Sequence, residues 1–343
     1  MHISMTGART KWADIERARQ FLQHHFVPTR LIAATSLKNV PDAQVHLKLE
    51  SEMPTGSFKV RGALYALHTE MTKGQITEVV AASTGNHGAA VAYAAKLLNV
   101  PAKIFLPVKA NLAKQTRIRA CGAEIVERGK DISEAFEGAR EYARQAGSFL
   151  LNDATNPDVP AGTATIAIEI IDQLPSVAEI WVPMGDTALI RGVAFAAKHL
   201  RPDVRVVGIQ AERAPAYYLS WKAGRALSTA TCDTIADGLA TRAPVEENVV
   251  AIRELVDDVR LVTEAQMFNA IEHLLVKGHV VVEPAGAATT AAWLANSTTS
   301  LRGPVVLLAT GSNIAEPILR QALMSGKEIA RQAVPLWAKW RRK

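Results

Sequence analysis

The 343-residue chain predicts an α/β fold in which open, twisted, mostly parallel sheet is flanked by helices. Three observations carry that expectation. Short β-branched runs alternate with helix-length segments along the whole chain, the order that a parallel sheet covered on both faces requires. Two of the junctions between such runs and the following helices are polar turns containing glycine. No linker rich in Gly, Ser or Pro divides the chain, and no fixed-period repeat is present.

In chain order, the expected strands are 45–49, 79–81, 103–106, 124–126, 180–182, 204–207, 280–282 and 305–308. Helices are expected from the mouth at Lys59, over 89–98, over 111–121 with Gly122 as its stop, over 189–200, and in the tail 316–343. His24 and His25 fall at an expected helix end.

Composition narrows the class. Hydrophobic residues make up 48% and charged residues 21%, the balance of a soluble globular enzyme. Apolar runs are broken by charges well short of the roughly 20 residues of a membrane helix. The N-terminus M-H-I-S-M-T-G-A-R-T lacks an apolar signal core, so a cytoplasmic location without a membrane partner is expected. Cys121 and Cys232 are too few for a disulfide framework and lack C-x-x-C spacing. The net charge of +6 is diffuse apart from a basic cluster at 337–343, and the 6% of aromatic residues are not interleaved with it. That excludes a nucleic-acid platform. The nine histidines show no metal-ligand spacing, and no metal is expected.

Two stretches carry chemistry. Residues 51–63 read S-E-M-P-T-G-S-F-K-V-R-G-A and place Lys59 two residues after Gly56-Ser57, at a loop-to-helix junction. Residues 83–88 read S-T-G-N-H-G, between the run 79–82 and an alanine-rich helix. Both present polar groups at a helix N-terminus, where free N–H groups and the helix dipole favour anions. A lysine able to form an imine, beside such turns, points to an aldehyde cofactor bearing a phosphate.

These motifs resemble the lysine and asparagine motifs of the fold-type II pyridoxal-phosphate enzymes, in particular the serine/threonine dehydratases. The resemblance continues in family order through 161–170 (A-G-T-A-T-I-A-I-E-I), 235–240 (I-A-D-G-L-A), 281–288 (V-V-E-P-A-G-A-A) and 309–314 (A-T-G-S-N-I). It implies two open twisted sheets, with a small domain over 78–152 inserted into a large one made of 1–77 and 153–343. It also implies pyridoxal 5'-phosphate between the domains, a small amino-acid substrate and a homodimer. The chain's end soon after Asn313 gives the expectation that no regulatory domain is appended.

By this resemblance Lys59 is the Schiff-base lysine and the base that removes the α-proton, and Phe58 beside it contributes to the cofactor site. Asn86 bonds the phenolic oxygen of the pyridoxal ring; its alternative is a helix N-cap. Ser83, Thr84, Asn86 and His87 grip the substrate carboxylate, with packing or capping as the alternative for His87. Thr84 stands where related racemases place the hydroxyl that works on the opposite face of Cα, so it is a second catalytic candidate. Thr310 faces the pyridine nitrogen, and Glu283, a carboxylate at an expected strand end, lies near ring and substrate or else is a structural acid.

The sequence departs from the family at the phosphate loop, where a run of four glycines is usual. Here Gly185, Asp186, Thr187, Ala188 and Leu189 follow the expected strand. Their backbone N–H groups and the Thr187 hydroxyl are expected to hold the phosphate, with Asp186 turned away because carboxylate and phosphate repel; the alternative is a turn that only caps the helix. Some relatives carry a cation site made of a glutamate and an aspartate six residues on; Glu212 is followed at that distance by Tyr218, again predicting no metal. The implied activity is dehydration of L-threonine or L-serine to a 2-oxo acid and ammonia. Open alternatives are a dehydratase of larger hydroxy amino acids, such as phenylserine or a hydroxyectoine-derived one, a racemase or β-replacement enzyme of the same fold, and a non-catalytic cofactor-binding sensor.

Overall fold

The computed structural model describes residues 10–37, 43–74, 76–108, 112–144, 148–295 and 303–332. Among the described residues, ten strands form two sheets. The six-stranded sheet runs β1 (Leu31–Ala33), β2 (Val45–Lys48), β10 (Val305–Leu308), β7 (Glu179–Pro183), β8 (Arg205–Ala211) and β9 (Asp258–Val262). Only the β1–β2 pair is antiparallel. The four-stranded sheet is all parallel, in the order β5 (Glu124–Glu127), β4 (Ala102–Leu106), β3 (Glu78–Ala82), β6 (Ser148–Leu150). Central strands read as continuous apolar runs because both faces are covered: every residue of β7 and β10 is buried.

The helices that cover the sheets are α1 (Trp12–Leu22), α2 (Lys59–Lys73), α3 (Asn86–Leu97), α4 (Leu112–Ala120), α5 (Ile132–Ala143), α6 (Val159–Gln173), α7 (Ala188–Leu200), α8 (Ala216–Ala223), α9 (Glu246–Leu255), α10 (Glu264–Val276), α11 (Pro284–Leu294) and α12 (Glu316–Gln332). One core cluster joins α2, α3, α6 and α7, and a second joins α10 and α11 to the other face of the large sheet. Glycines let the helices that carry the chemistry approach closely. A Cβ on Gly162 of α6 would lie 2.5 Å from the Arg61 carbonyl of α2, and one on Gly192 of α7 would collide with Pro160 and Thr163 of α6. The start of α2 is thereby tied through α6 to the start of α7.

A buried charge cluster reinforces this tie. Arg61 on α2 donates from Nε to Glu50 at 2.8 Å and from Nη1 to Glu169 of α6 at 2.5 Å, and Lys48 of β2 donates to Glu169 at 2.6 Å. Glu50 also accepts from the Thr29 hydroxyl at 2.6 Å. Two cations and two anions balance, as burial requires.

The expected strand at 280–282 is not formed. Those residues run irregularly into α11, with Val281 46% exposed, Glu283 in the N-cap position and Pro284 opening the helix. Three further strands lack a sequence signal: β1 and β6 have three residues each, and β9 alternates charged and apolar residues at a sheet edge. The helix expected over 111–121 is described from Leu112 and ends at Ala120, and α1 ends before His24. The tail helix is described to Gln332, so the basic cluster 337–343 lies outside the described residues. Among the described residues no helix is long and apolar enough to cross a membrane.

Candidate active site

The site is built at the N-terminal ends of α2, α3, α7 and α11, each fed by a turn that leaves its first N–H groups without helical partners. Lys59 opens α2 after Phe58, whose ring centroid lies 5.4 Å from the Lys59 Nζ. The turn before it is pinned by residues from the far end of the chain. Phe58 N donates to the Thr310 carbonyl at 3.1 Å, Ser57 bridges to Gly311, and Glu283 N donates to the Gly311 carbonyl at 2.9 Å. Thr310 is buried, at 3% exposure.

Lys59 Nζ, 13% exposed, donates to Asp153 Oδ2 at 2.5 Å and to Asp186 Oδ2. Burial works against its ammonium, but the two carboxylates outweigh burial and hold Lys59 well above the ordinary lysine range. Asp153 shows the converse. Burial would raise it, yet His87 and Lys59 draw it far below the ordinary carboxylate range.

Asn86 is the first residue of α3, and the N-cap position belongs to Gly85. Its side chain makes no capping bond, which removes the capping alternative. Instead its Nδ2 donates to Glu283 Oε1 at 2.6 Å and its Oδ1 accepts from Asn313 Nδ2 at 2.7 Å. Glu283 therefore meets Asn86 from an N-cap position and not from a strand end. Gly311 lies beneath this pair: a Cβ there would strike the Glu283 carboxylate and stand 3.4 Å from Asn86 Nδ2. Ser83 Oγ accepts from Gly85 N at 3.2 Å, and Thr84 is half-buried. His87, buried, places Nε2 2.9 Å from the Leu151 carbonyl oxygen and Nδ1 3.4 Å from Asp153. A cavity of about 780 Å³ runs from His87, Asn152 and Asp153 to Ser133 and Glu137 of α5.

The turn at 185–189 differs from expectation in two respects. Asp186 does not turn away: its Oδ1 accepts the Ala188 N–H at 2.8 Å while Oδ2 meets Lys59. A carboxylate at a helix start takes up the unpaired N–H groups that attract anions, and the nearby ammonium reinforces that position. The Ala188 N–H is thus engaged. Secondly, Thr187 is buried in the left-handed region at φ 74°, a costly conformation for a β-branched residue, and its hydroxyl accepts from Arg191 Nε at 3.2 Å. Gly185 cannot be replaced here, because a Cβ would collide with the Gly238 carbonyl. Leu189 is buried in the first turn of α7.

The structure joins Lys59 to Phe58 and Asp186, joins Phe58 to Thr310 through the backbone, and pairs Asn86 with Glu283. Ser83 and Thr84 share no side-chain bond with these residues. Sequence reasoning missed Asp153, Arg191 and Asn313. Asp153 carried no local signal, because it follows β6, a strand that the sequence does not mark.

A family pattern described as "Pyridoxal-phosphate dependent enzyme" matches residues 22–311. The L-threonine ammonia-lyase of Thermotoga maritima is 34% identical over 320 residues, which are 92% of this chain and 80% of that protein. A solved threonine deaminase from T.th. superposes with a TM-score of 0.83 at 32% identity, covering 89% of this chain and 99% of the other. Maize serine racemase superposes with a TM-score of 0.85 at 27% identity, covering 93% and 98%. With a match over most of its length and relatives above 30% identity, the chain belongs to the family of pyridoxal-phosphate dependent enzymes.

Proposed function

We propose that this chain is a pyridoxal-phosphate-dependent ammonia-lyase that dehydrates a β-hydroxy-α-amino acid of the L-threonine or L-serine kind to a 2-oxo acid and ammonia. The observation that carries it is Lys59, nearly buried at the start of α2 and reaching the start of α7 through Asp186. Support comes from relatives named L-threonine ammonia-lyase at 34% and 35% identity, and from a fungal L-serine ammonia-lyase with a TM-score of 0.79 at 25% identity.

The residues present fit the cofactor. Lys59 supplies an amine for its aldehyde, Gly311 leaves a surface that any side chain would fill, and Asn86 and Thr310 supply polar groups. The start of α7, from Gly185 to Leu189, supplies the positive end of a helix for its phosphate. When bound, the cofactor supplies an electron sink for negative charge at the substrate Cα.

The protein's own part is proton handling and orientation. Ser83 and Thr84 surround the substrate carboxylate with hydroxyl donors, and Asn86 and His87 do so with the backbone N–H groups at the start of α3. Lys59 Nζ, as free amine, accepts the α-proton. Hydroxide then leaves Cβ, and the released enamine hydrolyses to the 2-oxo acid and ammonia. The same reading includes a large domain of 1–77 and 153–343 and a small domain of 78–152, supported by the confinement of the four-stranded sheet to β3–β6. It also includes a cytoplasmic homodimer.

The test is a panel of hydroxy amino acids, phenylserine included, followed by 2-oxo acid release and chiral analysis of what remains. L-threonine or L-serine should give 2-oxo acid. Racemised substrate without 2-oxo acid would sink the lyase reading and point to Thr84 as a second proton donor. Asp186 allows a separate check. Asp186→Asn keeps the acceptor for the Ala188 N–H but removes a charge beside the phosphate position, so pyridoxal-phosphate affinity should rise about tenfold, read by absorbance titration of the apoprotein. A tenfold fall would place the phosphate away from this turn.

A further inference from the structure

Asp153 stands between Lys59 and His87, which come from different elements. Its Oδ2 accepts from Lys59 Nζ at 2.5 Å, and the same oxygen lies 3.4 Å from His87 Nδ1. On the far side of the ring, His87 Nε2 is 2.9 Å from the Leu151 carbonyl oxygen. A carboxylate and a carbonyl only accept, so both ring nitrogens are satisfied when each carries a proton. The Asp153 side chain is 17% exposed, and water screens these contacts little. Asp153 and Leu151 lie just past β6 and His87 in the first turn of α3, so the carboxylate is held by the small sheet and its helix while Lys59 belongs to α2.

We propose that Asp153 is a positioning residue for Lys59: its carboxylate, steadied by His87, holds the Nζ ammonium formed when the lysine takes the α-proton and fixes the direction in which the amine faces Cα. This rests on the reading of Lys59 as the base. In the step, the substrate Cα–H bond breaks and its electron pair stays on carbon. The proton forms a new N–H bond on Nζ, and that ammonium donates to Oδ2 without passing the proton on. Asp186 also meets Nζ, but its other oxygen is bound to Ala188 N at the start of α7, where a phosphate dianion would repel it. Asp153 is not on that turn and keeps its place. The charged and titratable groups facing Asp153 are Lys59, His87, Asp186 and Arg191.

The test uses the Asp153→Asn holoenzyme, with borohydride reduction and peptide mass mapping to locate the cofactor adduct. Loss of a charge-assisted hydrogen bond should lower kcat about 10- to 100-fold with little change in KM, because Asp153 touches the lysine and not the substrate. The kinetic isotope effect with α-deuterated substrate should increase, since proton transfer becomes slower relative to other steps. The rising limb of kcat against pH should move to lower pH, because Nζ is a free amine only in the substrate-bound enzyme and an ammonium that loses an anionic partner gives up its proton more readily. An adduct on Lys59 with an unmoved limb and an unchanged isotope effect overturns the proposal, whether or not kcat falls. An adduct on another lysine overturns this proposal together with the reading of Lys59.

Discussion

Replacing Lys59 by alanine should abolish 2-oxo acid formation, with a loss on the order of 10⁴-fold or more. Two roles disappear at once. The amine that attaches the cofactor aldehyde is gone, and so is the group that accepts the α-proton. The structure also predicts how the loss divides. Lys59 is the common cation of Asp153 and Asp186, so Lys59→Ala leaves both carboxylates without it in a nearly buried site. Added methylamine can replace the base but not the tether, and should restore a small fraction of the rate. Single-turnover assays with and without the amine measure that fraction. Activity of Lys59→Ala within tenfold of the parent would remove Lys59 from the chemistry altogether.

The largest effect on stability is expected at Glu50, which is fully buried and accepts from Arg61 Nε at 2.8 Å and Nη2 at 2.9 Å. Glu50→Gln keeps the volume but leaves Arg61 and Lys48 sharing Glu169, an uncompensated buried charge. Breaking a buried pair in this way costs about 3–5 kcal/mol, a large part of a typical domain's total stability. The measurement is a urea midpoint that shifts at constant slope. The same cluster gives a pH dependence. Burial alone would raise Glu169, but Arg61 and Lys48 hold it below its ordinary value of 4.5. A depressed carboxylate stabilises the fold fully above that value and loses the contribution as pH falls through the lower, folded-state one. Stability should therefore decline as the solution is taken below about pH 4.5. A midpoint flat from pH 6 to pH 3 would contradict the ion-paired cluster.

What could be read in the sequence follows from how local each signal is. Lys59 and Asn86 lie in or just after contiguous polar, glycine-bearing turns that lead into helices, so a short window marks them, whereas the turn at 185–189 is marked by the family resemblance. The buried strands β7 and β10 announce themselves as unbroken apolar runs. The run at 280–282 is equally apolar but precedes a proline-opened helix, and periodicity cannot separate a three-residue strand from an extended lead-in. Asp153 is 94 residues from Lys59 and 66 from His87, in the ordinary loop stretch L-N-D-A-T-N-P, so its role depends on tertiary pairing that no window contains. The direction of the Asp186 side chain likewise depends on partners outside its own window. Charge repulsion from a phosphate argues for turning away, whereas the structure adds a lysine and a helix start that hold the carboxylate in place.

Where the cofactor bond lies decides whether Lys59 carries the chemistry. Wild-type holoprotein should be yellow, lose its long-wavelength band on borohydride treatment, and after digestion yield a single pyridoxyl-modified peptide with the mass increment on Lys59. An increment on any other lysine, or a protein that takes up no pyridoxal phosphate under these conditions, would contradict that role.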